Sequence, residues 1–84
     1  MPGTVLLFGR LKDAFGAASI PLPDGVATAA ALRAKLAAAN PDLAEMLRSK
    51  SIRIAVNQTL VANEDAVRIS ASDEIALLPP LSGG

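Results

Sequence analysis

The sequence predicts an α+β fold, a mixed β-sheet with one main helix laid across one face. Three observations carry this. Short apolar runs of strand length lie near both ends of the chain, Thr4 to Phe8 and Glu74 to Leu78. Between them, Ala29 to Ala39 is rich in strong helix formers. The segment Ile52 to Val56 alternates apolar positions with Arg53 and Ala55, the period of a strand with one face inward. Strand, strand, helix, strand and further short strands pack most simply as one sheet covered by the helix.

Thr4 to Phe8 is a nearly continuous apolar run, as in a central strand covered on both faces, and Gly9 ends it. Leu11, Ala14 and Phe15 recur at helical spacing over one turn, and Gly16 suits the left-handed residue that follows. Ala18, Ile20 and Leu22 alternate as a strand, and Pro21 confines it to an edge. Pro23-Asp24-Gly25 is a turn signal. Thr28 is placed to cap the main helix, its hydroxyl accepting from an unpaired amide of the first turn. Leu32, Leu36 and Ala39 form the buried stripe of that helix, and Arg33 and Lys35 fall off it. Asn40-Pro41 stops this helix and opens a shorter one with Leu43, Met46 and Leu47 inward.

After the strand at Ile52 to Val56, Asn57-Gln58 reads as a tight turn, because Asn tolerates positive φ. Thr59 to Val61 returns as a strand, and a loop at Asn63-Glu64-Asp65 leads to the short apolar pair Val67 and Ile69. Ser72-Asp73 turns the chain into the last strand. There Ile75 and Leu77 share one face and Ala76 and Leu78 the other. Pro79-Pro80 ends it, since neither residue donates to a sheet ladder. Residues 1–84 read as a single domain, with 79–84 as an extended tail. A last strand parallel to the first would make the arrangement a β-grasp.

Composition excludes much. The 84 residues include no Cys and no His, which removes disulfides, thiol and imidazole catalysis, and metal sites built on those ligands. The carboxylates show no metal-ligand spacing, so no metal is expected. Net charge is zero, without the basic excess that nucleic acid rewards, so no nucleic-acid partner is expected. No apolar run approaches bilayer length and no signal peptide precedes the domain, so the expectation is a cytoplasmic protein with no membrane partner. The charges are segregated. Arg33, Lys35, Arg48, Lys50 and Arg53 lie mid-chain, whereas Glu64, Asp65, Asp73 and Glu74 crowd the last third, either as two solvated surfaces or as an acidic face for a basic partner.

The one chemically suggestive feature is the end of the chain. Pro79 and Pro80 hold the backbone extended, and Leu81-Ser82-Gly83-Gly84 follows. Glycine has no Cβ, so Gly83 and Gly84 fit a channel too narrow for any side chain and leave the terminal carbonyl unhindered. A carboxylate becomes reactive once it is adenylated with ATP. On the sheet face away from Ile75 and Leu77, Leu78 and Ala76 join Leu6, Phe8 and Leu60 in an apolar patch suited to docking.

Val5-Leu6-Leu7-Phe8, Ala55-Val56-Asn57-Gln58-Thr59-Leu60-Val61 and Asp73-Glu74-Ile75-Ala76-Leu77-Leu78-Pro79-Pro80-Leu81-Ser82-Gly83-Gly84 resemble the small subunit of molybdopterin synthase, over nearly the whole chain. The resemblance implies a ubiquitin-like β-grasp fold and a sulfur carrier. In that family an E1-like adenylating enzyme uses ATP to activate the terminal glycine, here Gly84, and a sulfur donor protein converts it to a thiocarboxylate. No cofactor is bound permanently. The tail enters the large subunit of a heterotetrameric synthase, and the sulfur passes to cyclic pyranopterin monophosphate to form the molybdopterin dithiolene. The small subunit is non-catalytic, with the catalytic side chains expected on the large subunit. The resemblance carries over Gly84 as the reacting group with Gly83 behind it, and Phe8, Leu60, Leu78, Pro79, Pro80, Leu81 and Ser82 as partner contacts. Arg10 and Lys12 stand where the family often has polar or basic residues. Leu77 and Leu78 stand where family members often carry aromatics, which keeps the patch apolar without ring contacts. The competing expectations are a sulfur carrier for thiamine or amino-acid biosynthesis, a modifier that forms isopeptide bonds, and an interaction module with an inert tail.

Overall fold

The computed structural model describes residues 3–79. Strand β1 (Thr4–Leu7) is followed by helix α1 (Gly9–Phe15), strand β2 (Ser19–Pro21) and the main helix α2 (Ala29–Ala39). A turn of 3-10 helix (Pro41–Leu43) leads into α3 (Ala44–Arg48), then β3 (Arg53–Val56), β4 (Thr59–Leu60) and β5 (Glu74–Leu78). The five strands form one sheet in the order β2-β1-β5-β3-β4. β1 and β5 pair in parallel at its centre, with Val5 opposite Ile75 and Leu7 opposite Leu77. All other pairings are antiparallel. This is the mixed sheet of a β-grasp, and β2 with its Pro21 lies at an edge.

Local chemistry fixes the elements. Thr28 caps α2, its Oγ1 accepting from the Ala31 N–H at 3.1 Å. Gly16 ends α1 at φ +72°, where its N–H donates to the Lys12 carbonyl at 2.9 Å. The β3–β4 hairpin turns through Asn57 and Gln58, both at positive φ (49° and 72°), as a two-residue hairpin loop demands.

The core lies between α2 and one face of the sheet. Val5 and Leu7 of β1, Ile54 of β3, and Ile75 and Leu77 of β5 are buried against Ala29, Leu32, Leu36 and Ala37 of α2, with Leu11 and Leu47 closing the ends. The inward stripe of α2 differs from the sequence reading. Ala37 is buried and Ala39 is exposed, because the stripe starts at Ala29 and follows the helix turn through Leu32 and Leu36. Ala55 is also buried despite facing outward, since it sits between Leu60 of β4 and Ala76 of β5. Val67 and Ile69 belong to no strand. Their backbones bond the entry to α2 instead, through Ala29 N–H to the Val67 carbonyl (3.0 Å) and Ile69 N–H to the Ala27 carbonyl (2.9 Å). Among the described residues no helix is long and apolar enough to cross a membrane.

Candidate functional site

Strand register decides what the outer face of the sheet, the face away from Ile75 and Leu77, presents. Leu6 lies opposite Ala76, Ala76 opposite Ala55, and Ala55 opposite Leu60, which makes one apolar row across four strands, small at its centre. Beyond this row Arg53 pairs with Leu78, the last residue of β5. Phe8 follows β1 at the same end. Phe8, Gly9, Ser51, Arg53, Leu60, Leu78 and Pro79 line a shallow groove of about 580 Å³. Phe8 is 44% exposed and Leu60 52%, the only large apolar side chains so exposed among the described residues.

The groove gathers Phe8, Leu60, Leu78 and Pro79, four of the expected partner contacts. Leu6 and Ala76 lie half-buried in the face behind it and do not line it. Of the two leucines set against family aromatics, Leu77 is core, so only Leu78 bears on this surface. Arg10 and Lys12 are exposed on α1, outside the groove lining. Pro80, Leu81, Ser82, Gly83 and Gly84 lie outside the described residues.

Sequence reasoning missed three lining residues. Gly9 has φ +55°, and a Cβ there would stand 3.0 Å from the Pro79 Cγ, so glycine allows the exit proline to lie close to the end of β1. Ser51 precedes β3, and Arg53 occupies an outward position that the alternation did reveal. What alternation withheld was its neighbour, because the register of β3 on β5 places Arg53 beside Leu78.

Arg33, read from sequence as off the buried stripe, is the most heavily bonded side chain near the site. Its Nε and Nη2 donate to Glu64 at 2.9 and 2.7 Å. Nη1 donates to the Leu47 and Ser49 carbonyls at 2.6 and 2.9 Å, and Nη2 also to the Ile52 carbonyl at 2.5 Å. It thereby ties α2 to the segment that enters β3 and to the loop after β4. The acidic cluster of the last third is partly consumed in the same way. Glu64 is paired with Arg33. Asp73 accepts from the Ser70 N–H at 2.7 Å and from the Asn57 amide at 3.0 Å, and these bonds, the first above all, hold its carboxyl below the usual range.

The groove is apolar along Phe8, Leu60, Leu78 and Pro79 and polar at Ser51 and Arg53, and it lies beside the end of β5. Residues 5–84 match the ThiS family, from β1 to the closing glycines. The chain belongs to that family. It is 40% identical over 80 residues to the molybdopterin synthase sulfur carrier subunit of Haemophilus influenzae, covering 95% of this chain and 96% of that one. Among solved structures it is similar to the small archaeal modifier protein 1 of Methanosarcina acetivorans, with a TM-score of 0.78 at 26% identity over 98% of this chain and 95% of that one. It is also similar to a chain in the complex of subunits 1 and 2 of the molybdopterin-converting factor of Helicobacter pylori, with a TM-score of 0.67 at 27% identity and all of both chains covered. The fold of this ThiS-family chain is the ubiquitin-like β-grasp, with the groove at the end of β5.

Proposed function

We propose that this chain is the sulfur carrier subunit of a molybdopterin synthase and that the C-terminal carboxylate of Gly84 is its working group. The observation that carries the reading is the 40% identity to a sulfur carrier subunit across nearly all of both chains. The geometry supports it. β5 is a central strand, held in parallel by β1 and antiparallel by β3, and it delivers the chain to the groove at Leu78 and Pro79. A partner seated on Phe8, Leu60 and Leu78 therefore receives whatever follows Pro79.

In the proposed chemistry a carboxylate oxygen of Gly84 attacks the α-phosphorus of ATP and releases pyrophosphate. Sulfide-level sulfur delivered by a donor protein then displaces AMP from the acyl-adenylate, losing its proton, and leaves a thiocarboxylate. The adenylating enzyme supplies the catalysis of the first step. The large subunit supplies that of the last, in which the thiocarboxylate sulfur enters cyclic pyranopterin monophosphate and the chain is recovered as its carboxylate after hydrolysis. This subunit contributes the carrier and the groove, and it is non-catalytic in the proposed heterotetramer. The proposed compartment is the cytoplasm, where ATP and the partner enzymes meet.

The test is intact mass after incubation with the adenylating enzyme, ATP and a sulfur donor, followed by addition of the large subunit and cyclic pyranopterin monophosphate. The expected result is an oxygen-for-sulfur exchange at Gly84 and then formation of the dithiolene product. A chain lacking Gly83 and Gly84 should stay folded and give neither. Product formation by that truncated chain would overturn the proposal. A thiocarboxylate without dithiolene product would move the chain to another sulfur-transfer pathway. The likeness to a modifier protein favours one second reading, in which Gly84 forms isopeptide bonds. Adducts on lysines of other proteins, in place of sulfur transfer, would establish it.

A further inference from the structure

Beside the apolar groove lies a second concavity of about 760 Å³, lined by Arg33, Arg48, Lys50, Arg53, Val61 and Glu64 among others. Arg33 and Glu64 neutralise each other, with their side chains only 14% and 26% exposed. The remaining cations, Arg48, Lys50 and Arg53, are exposed, and among the described residues none forms an ion pair. The patch therefore holds four of the eight basic groups and one of the eight acidic ones, a local charge of +3. The other four basic and seven acidic groups leave the rest of a neutral chain at −3. Arg53 lines both concavities, so the basic patch and the apolar groove form one continuous surface.

We infer that the basic patch of Arg48, Lys50 and Arg53 receives an acidic segment of the protein partner that docks on the apolar groove. The inference rests on the docking role proposed above for that groove and extends the surface by charge complementarity. A protein segment fits better than a small anion. The three cations are spread over an exposed, shallow surface, and Arg33, the one guanidinium set deep enough to grip an anion, has its donors engaged by Glu64 and by backbone carbonyls. Rim charges of this kind chiefly raise the association rate and impose salt dependence. Arg33 also fixes the display of the three cations, because it bonds the carbonyls of Leu47, Ser49 and Ile52 in the segment that carries them.

The experiment measures association of the purified chain with the purified large subunit, by surface plasmon resonance across a series of salt concentrations. Lys50→Glu/Arg53→Glu is compared with Leu60→Asp and with Lys35→Glu/Arg68→Glu, a charge reversal of equal size away from the patch. Circular dichroism confirms that each variant is folded. The expected result is an association rate slower by about tenfold or more for Lys50→Glu/Arg53→Glu at low salt, a flattened salt dependence, and a much smaller effect of Lys35→Glu/Arg68→Glu. Equal effects of the two reversals would overturn the inference, since only net charge would then matter. Weakening by Leu60→Asp alone would overturn it too while leaving the groove as the docking site. An unaffected Leu60→Asp would instead remove the docking reading itself. Saturable shifts of the patch amides by inorganic pyrophosphate, with partner affinity unchanged in Lys50→Glu/Arg53→Glu, would show a small-anion site and overturn the acidic-segment reading.

Discussion

Replacing Arg33 by methionine should destabilise the domain far more than a position read as solvent-facing would suggest. Arg33→Met keeps most of the apolar stem and removes the guanidinium. Three backbone carbonyls then lose a charged donor, and Glu64 loses its only ion-pair partner among the described residues. A typical intramolecular hydrogen bond contributes about 0.5–1.5 kcal/mol net, and more when one partner is charged. The Arg33–Glu64 pair is part-buried, so screening trims but does not abolish its share. The expected loss is about 3 kcal/mol in all, from a domain whose total is on the order of 4–13 kcal/mol. In a domain of this size that lowers Tm by roughly 12–24 °C.

The assay is urea denaturation followed by far-ultraviolet circular dichroism, because the chain has no Trp or Tyr to report by fluorescence. The midpoint should fall with the slope unchanged, as expected when stability changes and the exposed area does not. Arg33→Lys separates charge from geometry. One ammonium with three donors does not span a carboxylate and three carbonyls, so lysine should recover less than half of the loss. Glu64→Gln should cost only about 1 kcal/mol, since it leaves the carbonyl bonds of Arg33 in place. An Arg33→Met midpoint within about 0.5 kcal/mol of wild type, or an Arg33→Lys midpoint equal to wild type, would refute the reasoning.

Gly3→Ala should cost about 2 kcal/mol, because its Cβ would stand 2.5 Å from the Asp73 carbonyl oxygen and 2.7 Å from that of Ala71, both backbone atoms; thermal denaturation reads the loss. Gln58→Gly should stabilise the hairpin by about 0.5 kcal/mol, since Gln58 sits at φ +72°, and a lowered urea midpoint would contradict this. Asp73 has a depressed folded-state pKa, so the stability it contributes is present in full above the unfolded Asp value of roughly 4 and is lost as pH falls through the lower folded value. The difference in urea midpoint between wild type and Asp73→Ala should therefore be widest at neutral pH and narrow in acid. A difference that stays constant into strong acid would show that the bonds from Ser70 and Asn57 do not favour the ionised form.

Short-range chemistry was legible in the sequence wherever one residue answers to its own neighbours. Thr28 caps α2, Gly16 takes the left-handed position, Asn57-Gln58 makes the hairpin turn, and Ile75 and Leu77 face inward while Ala76 and Leu78 face out. The order of these elements pointed to a mixed sheet under a helix and left the β-grasp conditional on a parallel last strand, which the pairing of β5 with β1 supplies. What the sequence withheld depends on partners distant along the chain. Arg33 finds Glu64 across 31 positions, and no periodicity announces that pairing. Val67 and Ile69 carry strand-like residues, yet their amides and carbonyls are taken by the backbone that enters α2, leaving one isolated bridge between Thr28 and Arg68. The apolar members of the groove were legible from alternation, but its basic neighbour was not. Arg48, Lys50 and Arg53 become one surface only once α3 and β3 are joined by a segment that Arg33 holds down.

The exposure of Phe8 is the strongest physical argument that the groove is kept for a partner. The chain has only two phenylalanines, no Trp and no Tyr, so its core is built from aliphatic side chains. Burying one more Phe would add about 1.5–3 kcal/mol to a domain on the order of 4–13 kcal/mol. The fold instead leaves Phe8 44% exposed, at the end of the central strand β1, and sets Leu60 at 52% exposure near it. Register alone does not force this, because the outward positions at the centre of β3 and β5 are filled by the small residues Ala55 and Ala76 and the outward Leu6 of β1 is half-buried. The most exposed large apolar groups are thus gathered in the groove with Leu78 and Pro79, whereas Leu6 in the middle of the same face is half-buried. A surface shaped only to keep the free domain soluble would distribute them the other way, with small or polar residues at the rim. Under the proposed function, a partner that covers Phe8, Leu60 and Leu78 also meets Pro79, the residue that follows β5.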